Sequence, residues 1–144
     1  MPTIEIELRD INIVPKQSFR VGRNGHSYQT KKIIDNKKAI VNSTHGQLYN
    51  KRLYDLVKKY STYPVSIEIQ FYYPYPKSWP SRKKTPTQYK MSRPDLDNLE
   101  KQICDSLEGL LYVNDSQIVN KISCKKYYTL NYNSIFIILT YIEV

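Results

Sequence analysis

The sequence is poor in cysteine and histidine. Its two cysteines, Cys104 and Cys124, stand far apart, with no CxxC pair and no histidine cluster near either. This spacing predicts neither a zinc site nor a disulfide framework, and we expect both residues to be buried thiols in a reducing cytoplasm. His26 and His45 have no partners at metal-ligand spacing and no Ser/His/Asp grouping is visible, so we interpret both as ordinary loop residues.

Long apolar runs are also missing. No stretch approaches the roughly 18 residues that a transmembrane helix needs. The beginning of the chain, MPTIEIELRD, alternates like a strand and does not resemble a signal peptide. We therefore expect a cytoplasmic protein without a membrane partner.

Acidic residues are outnumbered, because 13 Asp and Glu stand against 22 Lys and Arg, and the net charge is +9. A field of this sign attracts polyanions, so nucleic acid is the first partner to consider and an anionic membrane surface the second. The 144 residues, with 40% hydrophobic content, correspond to a single domain over residues 1–144 that buries a core without disulfides or metal.

The N-terminal part of the chain carries strand patterns. Residues 3–8 alternate apolar and acidic side chains, which predicts a half-buried strand. Asn24-Gly25 suits a two-residue type I′ turn, since both positions tolerate positive φ, and this predicts a hairpin that bears Arg20 and Arg23. We expect these two arginines to contact DNA.

A helix is predicted after the hairpin. Thr44 and Gln47 resemble a capping box, which would start the helix there. The apolar residues at helical spacing are Tyr49, Leu53, Leu56 and Tyr60.

Residues 65–73 alternate with period two and end at Pro74, which predicts a second strand. The proline-rich segment PYPKSWPSRKKTPTQYKMSR follows, and we expect a mobile surface loop that cannot hold regular structure for long. Basic residues interleaved with aromatic ones suit a phosphate backbone and unstacked bases, although a solvated connector with incidental charge fits the pattern equally well. The aromatic residues are Tyr75, Trp79 and Tyr89, and the predicted DNA contacts are Arg82, Lys83, Lys84 and Arg93.

The stretch RPDLDNLEKQ, residues 93–102, concentrates acid in a basic chain. Asp97 and Glu100 have the D-x-x-E form of a helix cap, so we expect a helix that begins near Asn98. Asp95 and Asp97 would lie in the extended entry to this helix and project to the same side. The predicted buried stripe and helix end are Leu99, Ile103, Leu107, Leu110 and Gly109.

Converging carboxylates repel each other unless a cation lies between them, and hard oxygen ligands favour Mg²⁺ or Mn²⁺ over zinc. A third acid, Asp115, stands next to Asn114 at the predicted start of a long strand. Along this strand Asp115, Lys121 and Lys125 share one parity, so we expect one face to present an acid and two cations. This pattern fits metal-dependent attack on a phosphodiester.

Each acid also has a purely structural interpretation. Asp97 alone is explained as a helix cap, Asp115 as part of a turn with Asn114, and Asp95 as a surface charge. D-x-D is a weak motif by itself, and the residues alone leave a catalytic metal site and a structural role equally open.

The segment RPDLDNLEKQICDSLEGLLYVNDSQIVNKISCKKY resembles the signature region of the RusA family of Holliday junction resolvases, small endonucleases of bacteria and their phages. The family pattern is D-x-D-N-x-x-K, then D-x-L within a helix, then an acid followed by small-Q-V/I and a basic strand. The chain reproduces these parts in order, over about a quarter of its length. The basic hairpin and the strand before the proline-rich segment agree more weakly.

The resemblance implies residue roles. Asp95, Asp97 and Asp115 match the metal-binding catalytic acids, and Lys101 matches the lysine one helical turn beyond the second acid. Asn114 stands where the family often has another acid, so position 114 is not expected to be a ligand. Asp105 also matches, and we expect it to hold Lys101 in place rather than to bind metal.

The resemblance further implies an α+β fold, a small mixed β-sheet with two main helices packed on it, and a homodimer that cuts a four-way DNA junction symmetrically. The mechanism would be phosphodiester hydrolysis assisted by Mg²⁺, or by Mn²⁺. Lys121 and Lys125 are predicted DNA contacts. Two other functions stay open: a basic nucleic-acid-binding module without catalysis, and a nuclease of related chemistry that acts on flaps or other branched DNA.

Overall fold

A computed structural model describes residues 1–16, 20–23, 25, 27–28 and 30–143. Its strands are β1 (Thr3–Arg9), β2 (Arg20–Val21), β3 (Ser27–Tyr28), β4 (Val65–Pro74), β5 (Thr87–Tyr89), β6 (Ile118–Thr129) and β7 (Ser134–Tyr141). Its α-helices are α1 (Lys31–Asn50), α2 (Tyr54–Tyr60) and α3 (Leu96–Leu107). Two short 3₁₀ helices span Ser81–Lys83 and Asp115–Gln117.

Five strands form a mixed sheet in the order β1-β7-β4-β6-β5. β4 and β6 are parallel, whereas β1 with β7, β4 with β7 and β5 with β6 are antiparallel. The longer helices α1 and α3 contact each other, and α1 also contacts β1 while α3 contacts β6. The predicted α+β fold, a small mixed sheet with two main helices packed on it, is confirmed, and α2 is a third, shorter helix.

The core lies between the sheet and the two long helices. Alternation along the central strands turns every second side chain inward, and the helices supply the facing layer. A buried aliphatic or aromatic side chain contributes roughly 1.5–3 kcal/mol relative to exposure. The core residues that are at most 1% exposed include Ile4, Ile6, Leu8, Ile67, Ile69, Phe71, Ile135, Ile137, Leu139, Ile40, Leu48, Leu99, Ile103 and Leu107.

The outer edge of β1 is blocked by side chains from the C-terminal turn of α1 and from Lys51, the residue that follows it. Gln47 Oε1 accepts a hydrogen bond of 3.0 Å from the Glu7 backbone N–H, and its Nε2 donates to the Glu7 carbonyl oxygen. Lys51 Nζ donates to the Glu5 carbonyl oxygen at 2.8 Å. Because these groups are occupied, they are not available for pairing with another strand.

The N-terminal predictions are partly corrected. The strand over residues 3–8 is confirmed as β1, and the hairpin is confirmed as β2 and β3. The described pairs are Arg20 with Tyr28 and Val21 with Ser27, whereas a two-residue turn at residues 24–25 would pair Val21 with Tyr28, so the predicted register is wrong. Gly25 has the expected positive φ of 76°, and Asn24 lies outside the described residues.

The predicted start of the first helix at Thr44 is wrong. α1 begins at Lys31, and Thr44 is fully buried inside it, where its Oγ1 donates to the Ile40 carbonyl oxygen at 2.7 Å. The helix stops at Asn50, and Arg52 has a φ of 55° before α2 begins. The apolar series that we assigned to one helix therefore spans two.

The proline-rich segment is more ordered than predicted. It contains the 3₁₀ helix over Ser81–Lys83 and the strand β5, which pairs with β6. Tyr75 is 8% exposed and stacks on Tyr128 with ring centroids 5.0 Å apart, and Trp79 packs on the same ring at 5.1 Å. These two aromatic side chains hold the segment against the sheet.

Among the described residues, no helix combines the length and the apolar character that crossing a membrane requires.

Candidate active site

Asp95 and Asp97 lie at the N-terminal end of α3. Asp95 is the residue that precedes the helix, with an extended backbone (φ −69°, ψ 140°), and Asp97 is in the first turn. The helix thus begins at Leu96, before the predicted Asn98, and Asp97 is not its cap. Both carboxylates are exposed, and the partial positive charge at the helix N-terminus stabilises them. The alternation that we used to align them does not apply, because Asp97 is helical.

Lys126 holds the chain that enters α3. Its Nζ donates to the carbonyl oxygens of Ser92 at 2.9 Å and of Pro94 at 2.7 Å. Burial lowers the pKa of Lys126 and the nearby Lys90 lowers it further, whereas the neighbouring Asp95 opposes the shift. Sequence reasoning missed this residue, which follows the predicted Lys125.

The second of two irregularities in β6 explains why Lys126, and not Lys125, reaches the chain before α3. Pairing with β4 skips Val119 and Ile122, so each is an extra residue in β6. Each extra residue reverses the direction of the side chains that follow it. The predicted common parity of Asp115, Lys121 and Lys125 is therefore wrong, because the extra residue Ile122 lies between the two lysines and puts them on opposite faces of the sheet.

The partners in β4 assign the faces of β6. Lys121 and Lys126 pair with Ile67 and Phe71, which are buried beneath the helices. Lys125 pairs with Gln70, which belongs to the opposite face. Lys121 and Lys126 therefore lie on the helix side of the sheet, and Lys125 lies on the other side.

Asp115 opens the short 3₁₀ helix before β6 and is exposed. Asn114 caps this turn, since its side-chain oxygen accepts from the Ser116 N–H at 2.9 Å while Gln117 Oε1 accepts from the Asn114 N–H at 2.8 Å. Gln117 Nε2 also donates to the carbonyl oxygens of Ser61 at 2.7 Å and Tyr63 at 2.9 Å. The turn that carries Asp115 is thus attached to the chain between α2 and β4.

A group of three acids forms at the C-terminal end of α3. One carboxylate oxygen each from Asp105, Glu108 and Asp115 lies within 4.8 Å of the other two. The Asp115 N–H also donates to Glu108 Oε1 at 3.4 Å. Sequence reasoning missed Glu108, whose position just after the helix gives no motif.

The structure does not bring Asp115 to Asp95 and Asp97. Within the described residues, the group around Asp115 contains neither of them. Asp97 and Asp105 are eight residues apart on one helix, which corresponds to about 12 Å along its axis. The three predicted ligands thus lie toward opposite ends of α3.

Lysines from other elements neutralise two acids of α3. Lys16 Nζ forms an ion pair with Asp105 Oδ2, and Lys121 Nζ forms one with Glu100 Oε1. Asp105 therefore contacts Lys16 and not Lys101, in contrast to our prediction. Lys101 is exposed and shares a helical stripe with Asp97 and Asp105, and within the described residues it has no ion pair within 4.0 Å.

The predicted DNA contacts differ in exposure. Arg23, Arg82, Lys83 and Arg93 are exposed, and Lys84 is half-buried. The side chain of Arg20 lies outside the described residues. Of the three aromatic residues proposed to stack on bases, Tyr89 is 63% exposed, whereas Tyr75 and Trp79 pack on Tyr128.

The two cysteines are free, as predicted; Cys104 is buried and Cys124 half-buried. Burial, with a smaller contribution from Glu100, raises the pKa of Cys104 to about 12 and that of Cys124 to about 11. Both thiols are therefore protonated near neutral pH, so neither is an activated nucleophile.

The donor chemistry of these acids fits a hard divalent cation, since every candidate ligand is a carboxylate oxygen. At the C-terminal end of α3 the cation would compete with Lys16 for Asp105. At the N-terminal end, Asp95 and Asp97 have no ion pair within 4.0 Å among the described residues. Both acidic positions could therefore hold Mg²⁺ or Mn²⁺.

A protein-family model described as Endodeoxyribonuclease RusA matches residues 10–140 of the chain. The chain is also similar to the protein described as "Uncharacterized protein YqaN" from Bacillus subtilis (strain 168), with 35% identity over 74 residues. That similarity covers 47% of this chain and 51% of YqaN, so the chain spans about half the length of this curated relative.

Proposed function

The chain belongs to the RusA endodeoxyribonuclease family, and on that premise we propose that it is a Mg²⁺-dependent endonuclease that resolves four-way DNA junctions by paired phosphodiester hydrolysis. The observation that carries the proposal is the family match over residues 10–140. We further propose that residues 1–144 form one RusA-like endonuclease domain, in agreement with the continuous core beneath the sheet.

Asp95, Asp97 and Asp115 are the proposed metal ligands and catalytic acids. In support, each is exposed and none has an ion pair within 4.0 Å among the described residues. A bound Mg²⁺, or Mn²⁺ in its place, would supply an activated water and stabilise the charge that builds on the scissile phosphate.

Lys101 is the proposed fourth catalytic residue. Its ammonium cannot coordinate metal but can donate hydrogen bonds to a phosphate or to the attacking water. In support of this role, Lys101 follows Asp97 by one turn of α3, and residues at this spacing are neighbours on the helix surface. Asp105, which we predicted as its support, contacts Lys16, so Lys101 is left free to contact substrate.

The proposed DNA-binding surface comprises basic residues of the hairpin, the proline-rich segment and β6. Its exposed members provide charge without side-chain rearrangement, and neutralising phosphates releases counterions. Lys121 contributes from the helix side and Lys125 from the opposite face of β6. The full set is Arg20, Arg23, Arg82, Lys83, Lys84, Arg93, Lys121 and Lys125.

A homodimer is part of the proposal. A four-way junction has two equivalent strands to cut, and a two-fold protein presents two sites in matching orientation. Analytical ultracentrifugation of the protein tests this, and a monomer on the junction would contradict it.

The test of function is cleavage of a panel of four-way, flap and linear DNAs with Mg²⁺, with Mn²⁺, with Ca²⁺ and with EDTA. Wild type should cut the four-way junction in Mg²⁺ or Mn²⁺ and not in EDTA, and Ca²⁺ should support binding without comparable turnover. Asp95→Asn, Asp97→Asn and Asp115→Asn should each abolish cleavage and retain binding, because each loses a ligand and a charge that repels phosphate. Asp35→Asn, at an exposed acid of α1, is the control.

The panel also separates the two other functions. A binding module without catalysis would bind junctions tightly and leave them uncut in Mg²⁺. A nuclease of related chemistry would cut flaps as readily as four-way junctions. The net charge of +9 supports the binding module as well as the nuclease, whereas the exposed acids beside this basic surface favour a nuclease.

A further inference from the structure

We propose that Lys126 is a positioning residue for the proposed acid pair, because it fixes the chain that carries Asp95 to the sheet. The inference rests on the proposed function and deepens it. Lys126 would act through the backbone of Ser92 and Pro94 and would not touch the reacting phosphate.

The first support is the pair of hydrogen bonds from one ammonium group. Lys126 Nζ donates to the Pro94 carbonyl oxygen at 2.7 Å and to the Ser92 carbonyl oxygen at 2.9 Å. Pro94 immediately precedes Asp95, the residue before the first turn of α3. The two bonds therefore fix the peptide units that set the direction of the Asp95 side chain.

The second support is a contact network that anchors the same segment. Ser92 Oγ lies 3.0 Å from the Tyr128 hydroxyl and accepts from Lys90 Nζ at 2.7 Å. The Lys90 N–H donates to the Lys126 carbonyl oxygen at 3.0 Å. Tyr128 is itself 7% exposed and packed between aromatic rings. The chain before α3 is thus tied to a rigid part of β6.

The third support is that Lys126 and the adjacent Lys125 lie on opposite sides of the sheet. The bulge at Ile122 places Lys126 on the helix side and its neighbour Lys125 on the opposite side. Only one of two adjacent lysines can therefore reach the segment before α3. The same lysine pair supplies a matched comparison, because each substitution removes one charge from the same strand.

Groups that orient metal ligands typically affect metal affinity or activity 10–100-fold when they are removed. For Lys126→Met we expect the Mg²⁺ concentration for half-maximal junction cleavage to rise by about tenfold. If Lys126 acted only through its positive charge, Lys126→Met would lower the Mg²⁺ concentration for half-maximal cleavage, because loss of a cation beside carboxylates favours Mg²⁺ binding. Lys126→Arg keeps the charge and the donors and should restore the Mg²⁺ requirement to within about threefold of wild type.

The experiment combines two readouts on Lys126→Met, Lys126→Arg and Lys125→Met. Hydrogen exchange of the metal-free protein should show faster exchange over residues 90–98 in Lys126→Met alone, with the core strands unchanged. Single-turnover junction cleavage across a Mg²⁺ titration should show the raised requirement in the same variant. Lys125→Met is the control for the exchange readout and should keep wild-type exchange over residues 90–98.

Three results would overturn the inference. Unchanged exchange over residues 90–98 would show that Lys126 does not fix this segment. Faster exchange with an unaltered Mg²⁺ requirement would make the contact purely structural. Reduced junction affinity with a smaller salt dependence, at an unaltered Mg²⁺ requirement, would make Lys126 a phosphate contact.

The two proposals can fail separately. If wild type cuts no branched DNA, the proposed function fails, and Mn²⁺ affinity measured by electron paramagnetic resonance replaces cleavage as the metal readout. In that case weaker Mn²⁺ binding by Lys126→Met supports the positioning role, and equal binding overturns it.

Discussion

The strongest stability prediction concerns Gln117, whose side chain makes three hydrogen bonds. Its Oε1 accepts from the Asn114 N–H at 2.8 Å, and its Nε2 donates to the Ser61 and Tyr63 carbonyl oxygens at 2.7 and 2.9 Å. Gln117→Ala removes all three at once. The turn that carries Asp115 would then lose its attachment to the chain between α2 and β4.

Each hydrogen bond contributes a net 0.5–1.5 kcal/mol, so the three together correspond to roughly 1.5–4.5 kcal/mol. For a chain of this length that free energy lowers the Tm by roughly 5–18 °C, using roughly 3–4 °C per kcal/mol. Ser61 and Tyr63 are half-buried, which favours the lower part of this range because water can replace some of the lost donors.

The assay is urea unfolding and thermal unfolding of Gln117→Ala beside Ser116→Ala, whose exposed side chain has no hydrogen bond among the described residues. Gln117→Glu gives a sharper test, because it keeps the size and replaces the donating nitrogen with an oxygen that faces two carbonyl oxygens. It should be at least as destabilised as the alanine variant. A loss below about 0.5 kcal/mol in both variants, the size typical of a neutral surface substitution, would refute the reasoning.

Three further predictions concern catalysis, DNA binding and pH. Lys101→Met and Lys101→Arg should each slow single-turnover cleavage and leave the Tm unchanged, because among the described residues the exposed ammonium makes no ion pair that would stabilise the fold. A lower Tm with normal cleavage would contradict this. Joint neutralisation of Arg82, Lys83 and Lys84 should reduce the salt dependence of junction binding by about 0.9 in log–log slope per lost phosphate contact, whereas an unchanged slope would make the segment a solvated connector. The pKa of Cys104, ordinarily 9.0, is raised to about 12, so its contribution to stability is complete below pH 9 and is lost as pH rises toward 12. Urea unfolding of wild type and Cys104→Ala between pH 8 and about 11 measures this contribution. If the free energy of unfolding falls equally with pH in both proteins, Cys104 does not make the predicted contribution.

The strands could be predicted because their burial follows one simple alternation. Thr3–Arg9 and Val65–Pro74 each place alternate apolar side chains on the core, and this pattern is visible in the letters. α3 could be predicted from a comparable periodic pattern, because Leu99, Ile103 and Leu107 recur at helical spacing and are buried. Its first residue could not be fixed, because capping depends on backbone angles and Asp95 and Asp97 are both acceptable caps.

The first part of α1 was missed because its buried face contains polar residues. Asn36 is 6% exposed and donates to the Asn12 carbonyl oxygen at 2.5 Å, and Gln102 of α3 donates to Asn36 Oδ1 at 3.2 Å. These partners come from distant positions in the chain. A polar residue that is buried by tertiary hydrogen bonds interrupts the apolar period without interrupting the helix.

The bulges in β6 had a larger effect on the predicted site. Val119 and Ile122 are 63% and 62% exposed and look like ordinary strand residues in the sequence. Each shifts the register by one position, and one shift moves every later side chain to the other face. The sequence therefore suggested that Lys125 lies on the side of the acids, whereas in the structure Lys126 lies on that side and hydrogen-bonds the chain before α3.

Electrostatics explain why a basic chain concentrates acid around α3. Lys16 and Lys121 reach Asp105 and Glu100 from other elements, and an acid that already has a lysine partner gains less from a cation. The proposed ligands Asp95, Asp97 and Asp115 have no such ion pair among the described residues. Asp95 and Asp97 stand close together at the N-terminal end of α3, and Asp115 lies beside Asp105 and Glu108 at its C-terminal end, so repulsion within each group favours an added cation. The lysines thus divide the acids of one helix into those that stabilise the fold and those that remain open to a metal ion. This division predicts that Glu100→Gln and Asp105→Asn lower the Tm with little change in the Mg²⁺ requirement for cleavage, whereas Asp97→Asn abolishes cleavage and leaves the Tm close to that of wild type. A shared response of all three variants in both measurements would show that the ion pairs do not separate the two roles.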